Sequence, residues 1–444
     1  MPESQQRSAA ASSRLRRASA KLFVVLLSLL VGLLLVEVAL RVMGYSYPIF
    51  YVTDAERGWA LQPNIEGWYR KEGEAYVRIN SDGLRDIEHT KAKPEGTLRI
   101  AVVGDSYAEA LQVSLEETFW KILERRLQES CPACAGKRVE VVNFGVSGYG
   151  TAQELLTLQR HVRAYSPDIV LLAFTTSNDI SDNSRLLKKT DDIPYFIYRD
   201  GQLVLDDSFR DSASYRLRVS PVGRLAVWLR GSSRVVQLFH QAHAAFQTYM
   251  RSRKMKADVE AKAAREKLSD AARPKPPDPF VAARYDAAQP AARERAVKTE
   301  ELGVDNAVYL ESDDPAWNEA WRVTEKLVAL MRDEAEGQGA RFFVVTLSNG
   351  IQVYPDAAAR QAFMERLGVR DIFYPDRRIA ALGERERIKV FTLAPALQLY
   401  AERNRAFLHG FGRDTGNGHW NALGHRVAGE LLAEQLCRSM ATTD

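Results

Sequence analysis

The stretch Leu98-Arg99-Ile100-Ala101-Val102-Val103-Gly104-Asp105-Ser106-Tyr107 decides the architecture of this chain. Its apolar run is short for a helix and stops at Gly-Asp-Ser, a combination that favours a turn followed by a helix cap. A strand buried on both faces has this signature, and such strands belong to parallel sheets covered by helices. Working outward, comparable runs recur at Arg138–Asn143, Asp168–Phe174, Arg341–Leu347 and Ile388–Thr392. Amphipathic stretches separate them at Leu115–Glu129, Ala152–Tyr165, Ala316–Gln338 and Ala394–Phe407, and Ala422–Leu436 closes the series. Alternating β and α units predict a three-layer α/β/α sandwich with a central parallel sheet.

The remainder of the 444 residues divides around that domain, which is expected at 98–180 and 315–444. Residues 1–21 form a basic tail. Residues 22–43 are apolar enough for a transmembrane helix, since about 22 residues at ~1.5 Å each span roughly 33 Å. A cleavable signal peptide is the rival reading. The run exceeds the usual apolar length of about 7–15 residues, and Glu37 and Arg41 sit where a small-residue cleavage site would be expected. An uncleaved, single-pass anchor in the inner membrane follows. The basic flank keeps the N-terminus in the cytoplasm and places the body in the periplasm.

Residues 44–97, rich in Gly, Pro, Asn and aromatics, predict an irregular, β-containing lead-in. Residues 181–314 are an insertion, partly helical: a lid, a partner-binding arm or a spacer. Within it, Pro221–Lys267 has helical character, with Trp228, Leu238, Phe239, Phe246 and Tyr249 on apolar faces. The charged part, Arg251–Lys267, suits a solvated face, and the proline-rich Arg273–Pro279 a solvated linker.

Composition is that of a globular protein, 46% apolar and 27% charged. With 61 Lys+Arg against 57 Asp+Glu and no basic stripe interleaved with aromatics, nucleic acid is not an expected partner. The cysteines are Cys131, Cys134 and Cys437. Cys131 and Cys134 have CxxC spacing, but no second pair completes a zinc site, so a structural role is expected. In an oxidising compartment these two could close into a small disulfide.

Chemistry-bearing residues fall where a parallel sheet places them, in loops leaving the carboxyl ends of strands. Val103–Tyr107 follows the first strand, Asn143–Gly150 the second and Thr175–Asp179 the third; Gly416–Asn421 opens the last helix. Singly, each has an ordinary explanation: a helix cap, a tight glycine turn, an Asn-Asp cap, a histidine at a helix start. Their joint occurrence, in order, carries the signal.

Together these residues resemble the SGNH hydrolase superfamily of GDSL-type esterases and lipases, over Leu98–Asp179 and Phe411–Leu436. The resemblance implies a flavodoxin-like sheet and a serine esterase that uses no cofactor. It implies Ser106 as nucleophile, His419 as general base, and an oxyanion hole of the Ser106 and Gly148 amides with the Asn178 side chain. The chemistry is coherent: a serine hydroxyl needs a neighbouring imidazole to remove its proton, and the tetrahedral oxyanion needs donors already aimed at it.

One position departs from the family pattern. Three residues before His419, where an aspartate is usual, stands Gly416; either the loop bulges so that Asp414, two residues further upstream and the expected orienting acid, reaches the ring, or a backbone carbonyl orients it. Asp105 is expected to brace the nucleophile loop, and Asp179 to fix Asn178 or cap the next segment. Ser147 nearly forms a Gly-x-Ser-x-Gly elbow, but Tyr149 replaces the second glycine. His161, His240, His243 and His425 fall on predicted helices with no metal-ligand spacing, and His409 is a second-choice base. The expected function is hydrolysis of an acyl ester, on a polysaccharide or another cell-envelope molecule. Transfer of the acyl group to a sugar, as in alginate O-acetyltransferases, is the competing reading. A catalytically silent carbohydrate-binding or scaffold protein is the third.

Overall fold

A computed structural model describes residues 2–441 apart from 244, 248, 251, 252, 254–305 and 312. Apart from Arg253, the segment Arg251–Lys267 lies outside the described residues, as does the whole of Arg273–Pro279.

Two antiparallel hairpins come first: β1 (Tyr51–Asp54) with β2 (Gly58–Leu61), then β3 (Glu66–Tyr69) with β4 (Ala75–Arg78). The central sheet takes β5 (Thr97–Gly104), β6 (Arg138–Asn143) and β7 (Ile169–Thr175). A third hairpin, β8 (Tyr195–Arg199) and β9 (Gln202–Asp206), interrupts it before β10 (Arg341–Leu347) and β11 (Lys389–Thr392). The five sheet strands run in the order β11-β10-β7-β5-β6, every neighbouring pair parallel. This is the flavodoxin-like winding. The chain leaves β5 toward β6, then returns across it to β7, which opens a crevice at their carboxyl ends.

Period-2 alternation along the strands divides the interior into two layers. Ile100, Val102, Leu171 and Val345 face the helices Phe119–Ser130, Ala394–Asn404 and Ala422–Ala441. Ala101, Val103, Leu172 and Val344 face Thr151–Arg160, Pro315–Gly337 and Tyr374–Glu386. Every residue of β5 and β7 is buried, as expected for strands covered on both sides. A smaller core of Phe50, Leu61, Ile65, Val77, Leu111, Val146 and Tyr149 packs the first two hairpins on the loops after β5 and β6.

The helix expected from Leu115 starts at Phe119 instead, after a 3-10 turn at Leu115–Glu117, because the Thr118 side chain accepts the Lys121 amide and caps it there. The helices Ala357–Leu367 and Tyr374–Glu386 were not anticipated. The disulfide expectation needs correction. Cys131 bonds to Cys437, 306 residues away, and Cys134 is free and buried. Residues 132–134 form a 3-10 turn, while the last helix packs along Phe119–Ser130 and brings Cys437 to its end.

The described residues of Ile49–Arg224 and Ala291–Asp444 form one compact unit, which contains the sheet; those of Met1–Pro48 and Leu225–Pro290 form another. In the second unit, the 24-residue stretch Ser19–Val42 of the helix Pro2–Val42 is long and apolar enough to cross a membrane. A membrane anchor and a signal sequence share that character.

Candidate active site

The loop that carries Ser106 is shaped by Asp105. Its carboxylate accepts the Tyr107 amide (3.0 Å) and caps the short helix Ser106–Glu109 at the carboxyl end of β5. Gly104 and Gly145 permit close approach here: a Cβ on Gly104 would lie 2.9 Å from the Ala173 carbonyl, and one on Gly145 2.6 Å from the Glu109 amide nitrogen. Ser106 is thereby presented to a crevice rather than to the core.

His419 reaches that crevice from the far end of the chain. Its Nε2 lies 2.7 Å from Ser106 Oγ across a separation of 313 residues. Nδ1 lies 2.5 Å from Glu72 Oε2, and the His419 amide donates to Glu72 Oε1 at 2.8 Å. Glu72 stands in the turn between β3 and β4. The expectation for Asp414 is corrected here. Asp414 ends an exposed 3-10 turn, Gly412–Asp414, and Glu72 takes the place beside the ring that it was assigned. The backbone explains why. Gly416 (φ +96°) and Gly418 (φ +78°) are both left-handed, and a Cβ on Gly418 would collide with Glu72 Oε1. The glycine in this loop makes room for a carboxylate arriving from elsewhere.

On the other side of Ser106, Asn178 Nδ2 donates to Asp105 Oδ2 (2.9 Å), and Asn178 Oδ1 accepts from Ser177 Oγ (3.0 Å). Thr175 Oγ1 also donates to Asp105 (2.9 Å), and Asp179 accepts the Thr175 amide (2.7 Å). Gly148 (φ +78°) lies against Trp59, a residue of β2 whose indole N–H donates to the Ser147 carbonyl at 3.0 Å. Ser106, Gly148, Asn178 and His419 line one pocket of about 500 Å³. Tyr69, Gln112, Ser181, Lys188 and Asn349 complete much of its wall. A cleft of about 660 Å³ around Asp168 and Gly339 lies at the opposite, amino-terminal ends of the strands and has no histidine in its lining.

Ser147 also lines this pocket, but its hydroxyl is committed to donating to Glu109. Two other buried histidines beside the pocket are engaged in structure. His409 contacts Ser348 Oγ (3.1 Å) and the Gly418 carbonyl (2.7 Å), and burial lowers its pKa to about 4. His425 takes the Phe119 amide (3.3 Å) and is held well below the ordinary range by burial. His419 differs. Burial disfavours its charged form, yet the hydrogen bond and negative charge of Glu72 outweigh that and raise its pKa. Glu72 shows the reciprocal effect: burial pushes its pKa up, and the bonds and charge of His419 bring it below the ordinary value.

More carboxyls lie behind the pocket. Burial raises Glu109 to about 7 despite bonds from Ser147 and Tyr51. Glu154 and Asp179, both fully buried, are raised well above the ordinary range by burial and by neighbouring carboxylates. Among the described residues, no group of three or more His, Cys, Asp or Glu side chains is arranged to hold a metal ion.

Sequence reasoning missed Glu72. No local motif marks it; the available signals were the missing acid at Gly416 and a carboxylate beside a glycine, Glu72-Gly73, in the lead-in.

No family model matches this chain, and no curated protein matches it. Among solved structures, it is similar to the acetyl xylan esterase AlAXEase at 10% identity, covering 76% of this chain and 99% of that one, with a TM-score of 0.34. It is similar to an acetyl xylan esterase from Geobacillus stearothermophilus at 10% identity, covering 79% and 97%, with a TM-score of 0.33. A GDSL-like lipase from Bacteroides thetaiotaomicron is similar at 7% identity over 80% of this chain and 93% of its own, with a TM-score of 0.30.

Proposed function

We propose that this chain is a membrane-anchored serine hydrolase of the SGNH type that cleaves an acyl ester. One observation carries the reading: the continuous path Glu72–His419–Ser106, with contacts of 2.5 and 2.7 Å on the two ring nitrogens. In this mechanism His419 Nε2 takes the Ser106 proton as Oγ bonds to the ester carbonyl carbon. Glu72 holds the tautomer with Nε2 free and stabilises the imidazolium that forms. The oxyanion is held by the amides of Ser106 and Gly148 and by Asn178 Nδ2, which Asp105 already orients. His419 then returns the proton to the leaving alcohol, leaving an acyl-Ser106. Water, deprotonated by the same imidazole, attacks that acyl group, and free acid leaves with Ser106 restored.

The amide and hydroxyl groups of Gln112, Ser177, Ser181 and Asn349 around the pocket suit a polyhydroxylated alcohol better than a long acyl chain. An O-acyl group on a polysaccharide or another envelope molecule fits that wall. The stretch Ser19–Val42 supports tethering at the inner membrane, and the basic residues before it support an extracytoplasmic body.

The test is labelling with a fluorophosphonate probe, followed by assay on a chromogenic acetyl ester with and without oligosaccharide acceptors. Wild type should be labelled, Ser106→Ala should not, and acetate should be the main product. Persistent labelling in Ser106→Ala overturns the nucleophile; acetylated sugar as the main product overturns hydrolysis in favour of transfer.

A further inference from the structure

Near its C-terminal end the apolar anchor carries two charges, Glu37 and Arg41, and both are committed to one purpose. Glu37 accepts the amides of Arg234 (3.0 Å) and Val235 (3.0 Å) and the Ser233 hydroxyl (2.9 Å). Arg41 Nη2 donates to the Ser232 carbonyl at 2.6 Å and pairs with Glu37 at 2.8 Å. These are the ends of two helices, Pro221–Ser232 and the one beginning at 234. A carboxylate on free amides at a helix start and a guanidinium on a carbonyl at a helix end satisfy groups that helices leave open, with the charge each dipole end favours. Tyr47, just past the anchor, adds a third tie, its amide donating to Gln237 Oε1 at 2.9 Å.

The helix fixed in this way is amphipathic. Its described helical residues are 234–243, 245–247, 249–250 and 253. At about 100° per residue, Leu238, Phe239, Phe246, Tyr249 and Met250 fall within an arc of roughly 120°. All five are exposed, Phe239 by 74% and Phe246 by 59%. His240 and Gln247 lie well outside this arc, about 140° and 120° from its centre, and His243 flanks its edge. In the preceding helix, Leu225 and Trp228 are likewise exposed, by 54% and 63%. An exposed aromatic face of this kind needs a cover.

Its position on the anchor identifies the cover. Glu37 lies five residues before Val42, roughly 7–8 Å along the helix axis. An anchor that spans the bilayer therefore puts the start of the second helix at the boundary between headgroups and acyl chains. Amphipathic helices with Phe, Leu and Trp on one face lie at that depth.

We propose that the helix from residue 234 is a second membrane element, lying in the bilayer interface beside the anchor with Leu238, Phe239, Phe246 and Met250 turned into lipid. The proposal rests on the anchor reading of Ser19–Val42. It explains why charges interrupt the anchor where they do, and assigns part of the long insertion to lipid contact.

The test uses the full chain reconstituted into vesicles of phosphatidylcholine and phosphatidylglycerol. Single cysteines from Phe239→Cys, Phe246→Cys and Gln247→Cys, each in a Cys134→Ser background, carry an environment-sensitive dye; a circular-dichroism spectrum and Tm matching wild type report that each variant is folded. Quenchers attached to lipid chains should act at least about threefold more strongly at positions 239 and 246 than at 247, and aqueous iodide in the opposite order. If the protein resists a carbonate wash but the three positions quench alike, the interfacial helix is wrong and the anchor stands. Protection of 239 and 246 from both quenchers signals a protein contact and also overturns it. Release by carbonate overturns the anchor, and this proposal with it.

Discussion

Glu72 accepts two hydrogen bonds from one residue, His419, through separate oxygens: the backbone amide at 2.8 Å and the ring Nδ1 at 2.5 Å. The pair fixes both where the loop lies and how the imidazole is turned. The carboxylate beside this ring thus comes from the hairpin of β3 and β4, 347 residues from His419 in sequence.

Replacing this acid should separate orientation from binding. Glu72→Gln is expected to lower kcat by about 100- to 10,000-fold with little change in KM, because the ring loses its charge partner and its fixed tautomer. Asp414→Asn should stay within about twofold of wild type, as exposed surface substitutions usually do. Steady-state kinetics on an acetyl ester compares them. A larger loss in Asp414→Asn than in Glu72→Gln would return the role to Asp414.

The acid limb of the pH profile follows from the same pair. The base works only when neutral, and Glu72 holds the His419 pKa above its ordinary value. Activity should therefore fall as pH drops through a midpoint above about 6.5. Without the Glu72 charge the imidazolium is less stabilised, so Glu72→Gln should move the midpoint of its residual kcat/KM downward. An unmoved or raised midpoint contradicts the coupling.

Asn178 should act on the transition state rather than on substrate affinity. Asn178→Ala removes the donor that Asp105 orients, with an expected loss of about 100–1,000-fold in kcat and a nearly constant KM. Labelling by a fluorophosphonate should slow in parallel. A defect confined to KM would make Asn178 a substrate contact instead.

The Cys131–Cys437 bond ties the last helix to the end of Phe119–Ser130. Cys437→Ser should cost about 2–4 kcal/mol of stability, read as a lower Tm and denaturant midpoint. Reductant should lower the Tm of the wild type toward that of the variant and leave Cys134→Ser sensitive to it. Reductant-insensitive wild type would argue that the bond is not formed in solution.

Glu154 gives stability a pH dependence. Neither of its carboxyl oxygens has a hydrogen-bond partner within the fold, and its pKa is raised by burial and by Asp105 and Asp182. The folded chain keeps a proton that the unfolded chain releases above the ordinary carboxylate range. This contribution is therefore complete at low pH and is lost as pH rises toward the raised value. Glu154→Gln removes the titration. Its Tm relative to wild type should rise by about 1–3 °C between about pH 5 and pH 8.5 in calorimetry. A flat difference would show that Glu154 does not titrate differently on folding.

Much of this was legible in the chain. Apolar runs such as Leu98–Val103 fix strands buried on both faces, and glycine-containing loops after them, with Ser106 and Asn178, mark the end of the sheet where chemistry gathers. Those are local properties, set by residue period and turn chemistry. The pairing of Cys131 with Cys437 rather than Cys134, and the choice of Glu72 over Asp414, are not local. Each depends on which distant segments the packed helices and hairpins bring within bonding distance, and on a Gly418 without a Cβ that leaves space for a carboxylate. Spacing along the chain measures neither, so the sequence marked Ser106 and His419 as candidates while tertiary packing chose the carboxylate beside the ring.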